Sequence, residues 1–88
     1  MHEFSLLADL MKKINQIADS NGVEKVTAVH VSLGALAHIS GEHFREHFVH
    51  AARGTVAEGA TLQVTEKTDR QDPLAQEILL ESVEVEEG

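Results

Sequence analysis

"KVTAVHVSL", residues 25–33, decides the fold. Its apolar residues alternate with other residue types and are mostly β-branched, so residues 25–33 read as a strand. Val29, Val31 and Leu33 are expected on one face, with Val26, Ala28, His30 and Ser32 on the other. Upstream the period changes. Leu7, Leu10, Met11, Ile14, Ile17 and Ala18 recur three and four residues apart, with Lys12, Lys13, Asn15 and Gln16 mostly opposite. That is an amphipathic helix. Its start falls between Glu3 and Leu6, with Ser5 as the later cap and His2 just outside, and Asn21-Gly22 ends it.

Downstream, "GALAHIS" (34–40) connects to a second helix, capped by Ser40, running to about Arg53 and closed by Gly54. "GTVAEG" (54–59) is a loop, and "ATLQVTEK" (60–67) a second strand with Leu62 and Val64 facing inward. "TDRQDP" (68–73) has turn chemistry. "QEILLESVEVEE" (76–87) is a last strand whose apolar parity switches between Leu80 and Val83, which a bulge near Glu81-Ser82 would reconcile. The expected fold is α+β with the order αβαββ, two helices packed on one face of a three-stranded sheet. The last two strands are expected to pair as a hairpin, and its exposed edge could pair with a second copy to make a homodimer. The expected core is Leu7, Leu10, Ile14, Ile17, Val29, Val31, Phe44, Phe48, Leu62, Val64 and Val83.

Composition narrows the function. Eighty-eight residues make one domain, residues 1–88, burying only about 60–65% of its unfolded surface. Fifteen acids against seven Lys and Arg give a formal charge of −8. Nucleic acid and anionic membranes are therefore unfavoured partners, since both need clustered cations. "SLLADLM" (5–11) is too short to span a bilayer and follows no basic segment, so neither a signal peptide nor a membrane anchor is expected. There is no cysteine, which removes disulfides and thiolate metal sites and is compatible with a cytoplasmic location. No nucleophile–base arrangement or phosphate loop is recognisable, so no enzyme activity is expected.

Six histidines in this length ask for a reason. In "EHFREHFVH" (42–50), His43, His47 and His50 fall at i, i+4 and i+7, one stripe beside the face of Phe44, Phe48 and Ala51. Two histidines one turn apart can chelate a transition metal, yet a solvated helix flank populated by histidine is common and nothing else in the sequence completes a site, so the flank is the favoured reading. His30 and His38 read as structural or solvent-exposed. His2 differs in kind. Its imidazole, its own amide and the α-amino group are joined by short covalent paths, so one metal can close chelate rings through them. The amide of Glu3 offers a fourth nitrogen. Four in-plane nitrogens favour Ni(II) or Cu(II) over tetrahedral zinc. The bulky second residue should block removal of Met1, leaving the amine on Met1.

"MHEFSL" (1–6) resembles the N-terminal M-H-E-x-S-L signature of the HypA/HybF family, nickel metallochaperones of [NiFe]-hydrogenase maturation. "VTAVHVSLGALAHIS" (26–40) is similar to that family's strand and the G-x-L-S after it. "GEHFREHFVHAARGT" (41–55) is similar to its P-E-x-L-x-x-x-F helix, with Gly41 where proline is common. "GTVAEGATLQV" (54–64) is similar to its G-T-x-x-E-G-A-x-L segment, and "ESVEVEE" (81–87) to its closing strand.

The resemblance implies a nickel site at the Met1 amine, His2 and the Glu3 backbone. It also implies the αβαββ nickel-binding domain, with a HypB-like GTPase and the hydrogenase large subunit as partners, and urease as a further client in some bacteria. Family members carry two C-x-x-C pairs for structural zinc between the second and last strands. Here "KTDRQDP" (67–73) stands instead, so a turn near 68–74 replaces the zinc module and no zinc is expected. Two functions follow from the resemblance. One is a nickel-binding accessory protein; the other is a HypA-derived interaction or structural subunit of a hydrogenase or maturation complex, with metal transfer lost.

Overall fold

The computed structural model describes the backbone of residues 2–86 and the side chains of residues 7–86. Its elements are α1 (His2–Ser20), β1 (Val26–Leu33), α2 (Gly41–Ala52), β2 (Thr61–Glu66) and β3 (Ile78–Val85), the α+β order expected. Helix α1 buries Leu7, Leu10, Met11, Ile14 and Ala18 and leaves Lys12, Lys13, Asn15 and Gln16 exposed. It ends where Asn21 turns back, its Nδ2 donating to the Ile17 carbonyl at 2.7 Å, and Gly22 takes a φ of +65°. The helix opens at His2, earlier than expected, so the His2 backbone lies inside its first turn. Helix α2 is capped as its sequence dictates: Ser40 is extended and its Oγ accepts from the His43 amide at 3.1 Å. Phe44, Phe48 and Ala52 then face inward.

The strand order is β2-β1-β3. β1 pairs with β2 in parallel and with β3 antiparallel, so the expected hairpin between the last two strands does not form. Parallel neighbours need a crossover connection, and α2 supplies it between β1 and β2. β3 is left the opposite edge. Segment 67–77 therefore carries the chain across the end of β1 instead of reversing it. It is held there by Lys67 N–H to the Leu33 carbonyl at 2.8 Å, Gly34 N–H to the Glu77 carbonyl at 3.0 Å and Leu36 N–H to the Ala75 carbonyl at 2.7 Å. The turn chemistry is real but comes as two successive turns, with Asp69 accepting from the Gln71 amide and Asp72 from the Leu74 amide. The free edges are thus those of β2 and β3. Glu81 and Glu84, with Glu77 and Glu86 flanking the strand, are exposed along β3, where like charges oppose self-pairing.

Two register shifts set which side chains reach the core. His30 lies opposite Ser82 and Val31 opposite Leu80, so Glu81 is the extra residue, at the expected bulge. The displaced Glu81 side chain accepts from Ser32 Oγ at 2.6 Å, which satisfies a serine only 2% exposed. The second shift lies at Thr27, between Val26 and Ala28. It resets the alternation, so Val26 joins Val29, Val31 and Leu33 in the core, a correction to the face assigned from strict period-two reading. These four pack with the α1 residues and with Phe44, Phe48, Ala52, Ala57 and Leu62 in one cluster. Val64 and Val83 are half-buried against it, and Ile17 is half-buried beside Leu79 and Leu80. Both helices cover this face; the other presents His30, Gln63, Ser82 and Glu84.

Candidate metal centre

Helix α1 carries the first candidate ligands. Met1 and the side chains of His2 and Glu3 lie outside the described residues. What is described is their support: from Leu7 onward α1 is fixed on the core, packed against β3 and α2. The first N–H groups of any helix lack intrahelical acceptors. A helix opening at His2 thus leaves the amides of its first turn without a helical partner.

The other histidines separate by environment. His43 and His50 are exposed and His47 is half-buried on α2. The His43 and His47 rings lie side by side, centroids 4.6 Å apart and planes tilted by 30°. Among the described residues no group of three or more His, Cys, Asp and Glu side chains converges as a metal cage. His50 therefore does not complete a three-ligand site. His30 is half-buried on the open sheet face, its Nε2 2.9 Å from Thr65 Oγ1. His38 is exposed, in a left-handed backbone conformation at φ +59°. Both fit the structural or solvent role expected of them. One contact has no sequence signal: Arg45 Nη1 donates to the Leu62 carbonyl at 2.6 Å, tying α2 to edge strand β2. It joins residues that no local pattern pairs.

Residues 1–71 match the protein family described as "Hydrogenase/urease nickel incorporation, metallochaperone, hypA". The chain belongs to the HypA family. It is 36% identical over 64 residues to the hydrogenase maturation factor HypA of Nitrosospira multiformis, covering 73% of this chain and 56% of that protein. Identity is 38% over 64 residues to the hydrogenase maturation factor HybF of Salmonella typhimurium, covering 73% and 57%. The chain thus spans little more than half the length of these HypA-family relatives. Its fold is that of the solution structure of the Ni metallochaperone HypA from Helicobacter pylori, with a TM-score of 0.76 and 17% identity over 94% of this chain and 96% of that one. A second HypA solution structure gives 0.74 at 19% identity, covering 97% and 96%. HypA proteins form a metallochaperone family, not an enzyme family. Among the described residues no helix is long and apolar enough to cross a membrane.

The absence of cysteine from this HypA-family chain has a measurable consequence. A thiolate zinc site cannot form, and the core is made of side chains alone. Purified protein is expected to hold no zinc that survives chelation, and its melting temperature should be the same with and without a chelator, unlike a small domain folded around zinc. Elemental analysis finding one chelator-resistant zinc per chain would move a tight site onto the histidines of α2.

Proposed function

We propose that this HypA-family chain carries Ni(II) for the maturation of a [NiFe]-hydrogenase, holding it at the Met1 amine, the His2 imidazole and amide, and the Glu3 amide. The observation that carries the reading is the Met1-His2-Glu3 start inside the segment that matches the family. The ligand chemistry supports it. Short covalent paths join the amine, amides and imidazole into fused chelate rings, and four planar nitrogens suit Ni(II). A helix opening at His2 adds to this, since first-turn amides are not tied into helical hydrogen bonds. A planar complex is open on both faces, so an incoming ligand approaches axially before the chain end is displaced. Release then needs no unfolding of the core.

On this reading residues 1–88 form one nickel-binding domain, with the turn near 68–74 standing in place of the zinc module. A HypB-like GTPase and the hydrogenase large subunit are its partners, in the cytoplasm. The test is a nickel titration of untagged protein with a free Met1 amine. One Ni(II) per chain should bind with a diamagnetic d–d band in the visible. His2→Ala should abolish that band, as should any extension ahead of Met1, which turns the amine into an amide. Binding should weaken as pH falls, because amine, imidazole and amides must all lose protons to coordinate. A variant with His43, His47 and His50 all replaced should keep the band. If the extended protein binds nickel as tightly as the native one while the triple variant does not, the N-terminal assignment is wrong. If untagged protein binds no nickel at all, the docking or structural subunit becomes the better reading.

A further inference from the structure

The histidine stripe of α2 is not used by the N-terminal site. His43 and His47 lie one helical turn apart, and their rings are already neighbours, with centroids 4.6 Å apart and a 30° tilt. The helix under them is rigid where it matters. Ser40 caps the turn from which His43 projects, and Phe44 and Phe48, each next in sequence to one of the histidines, are 1% and 2% exposed. The two Cβ positions are therefore fixed. We propose that His43 and His47 form a second, exchangeable site for a divalent transition-metal cation, binding it through two imidazole nitrogens with water filling the remaining positions.

Metal–nitrogen bonds of about 2.0–2.1 Å place two ligating nitrogens within about 4 Å of each other, a span that small rotations of two adjacent rings can meet. Two neutral imidazoles select Ni(II), Zn(II) and Cu(II) over Mg(II) and Ca(II), which require oxygen ligands. No third protein ligand converges among the described residues, so the ion is held by two imidazoles alone, on the exposed His43 side, and exchanges readily. It differs in electronic character from the N-terminal site. Ni(II) in four planar nitrogens is low-spin and diamagnetic, whereas Ni(II) on two imidazoles and water is octahedral and paramagnetic.

That difference supplies the experiment, and it stands apart from the fate of the N-terminal reading. Proton NMR of the full chain carrying His2→Ala, titrated with nickel chloride, should show selective broadening of the His43 and His47 ring protons. Zinc chloride, the diamagnetic probe, should shift the same resonances without broadening. Even partners that only orient a ligand change metal affinity about 10–100-fold, so loss of a direct ligand in His43→Gln should weaken zinc binding at least about tenfold. His47→Gln, which keeps the volume of a half-buried side chain, should do the same, and His50→Gln should not. Affinity unchanged in both His43→Gln and His47→Gln would overturn the proposal, as would nickel broadening centred on His30, His38 or His50. The stacked rings would then be a solvated helix flank only.

Discussion

Replacing Phe48 with alanine should bring the protein close to unfolding at room temperature. Phe48 is 2% exposed, lies in the central cluster and has its ring centroid 6.1 Å from that of Phe44. Truncating a buried phenylalanine costs about 3–5 kcal/mol, combining lost burial with the cavity left behind. A domain of this size has roughly 5 kcal/mol to lose. Urea denaturation should show the midpoint falling by more than half, with the slope little changed. The adjacent Val49 is 53% exposed, and Val49→Ala should stay within about 0.5 kcal/mol of the parent. A Phe48→Ala protein as stable as the parent would place the apolar face of α2 at the surface and favour the docking reading over the nickel carrier.

The second large effect is expected at Gly34, for a reason no local pattern reveals. A Cβ at this position would overlap the Ala75 carbonyl oxygen and stand 2.5 Å from its carbon, both backbone atoms. The segment cannot simply retreat, because the same oxygen accepts from Leu36 N–H at 2.7 Å, and Gly34 N–H donates to the Glu77 carbonyl at 3.0 Å. Gly34→Ala must therefore lift segment 72–77 off the end of β1 or distort β1 itself. The expected cost is about 3 kcal/mol, the upper part of the range for overpacking. Amide exchange at Gly34 and Leu36 should accelerate with it, reporting the lost bonds. Gly22, with φ +65° and no atom within 4 Å of where an alanine methyl group would sit, is the control. Alanine there meets only backbone strain, costing about 1 kcal/mol. Gly34→Ala melting with the parent would mean that segment 67–77 is not seated where the structure has it.

The same segment bears on function. In this HypA-family chain the stretch between β2 and β3 is tied down by backbone hydrogen bonds to residues 33–36 and contains no thiolate. Whatever a partner meets at that end of the sheet is a docked loop with two Asx turns. Substitutions there should alter stability first, because those backbone hydrogen bonds seat the segment on the end of β1.

The candidate ligands were legible as residues: Met1, His2 and Glu3 were picked out by covalent connectivity, and the spacing of His43 and His47 places them on one flank of any helix. Only the folded chain could show that the two rings are neighbours while, among the described residues, His50 joins no cage. The fold divides in the same way. Residues a few positions apart settle caps, periods and bulges. Ser40, Gly22 and Gly54 therefore marked helix ends correctly, and the parity switch in residues 78–85 located the bulge at Glu81. Strand order depends instead on which long-range pairings bury the most surface. The turn chemistry of residues 68–73 permits a hairpin as readily as a crossing. The crossover through α2 brought β2 alongside β1 in parallel, and β3 took the opposite edge of β1. The shift at Thr27 that turns Val26 inward, and the Gly34–Ala75 contact that holds the crossing segment, join residues distant in sequence. Local propensity holds no information about such contacts, so the tertiary structure alone decided them.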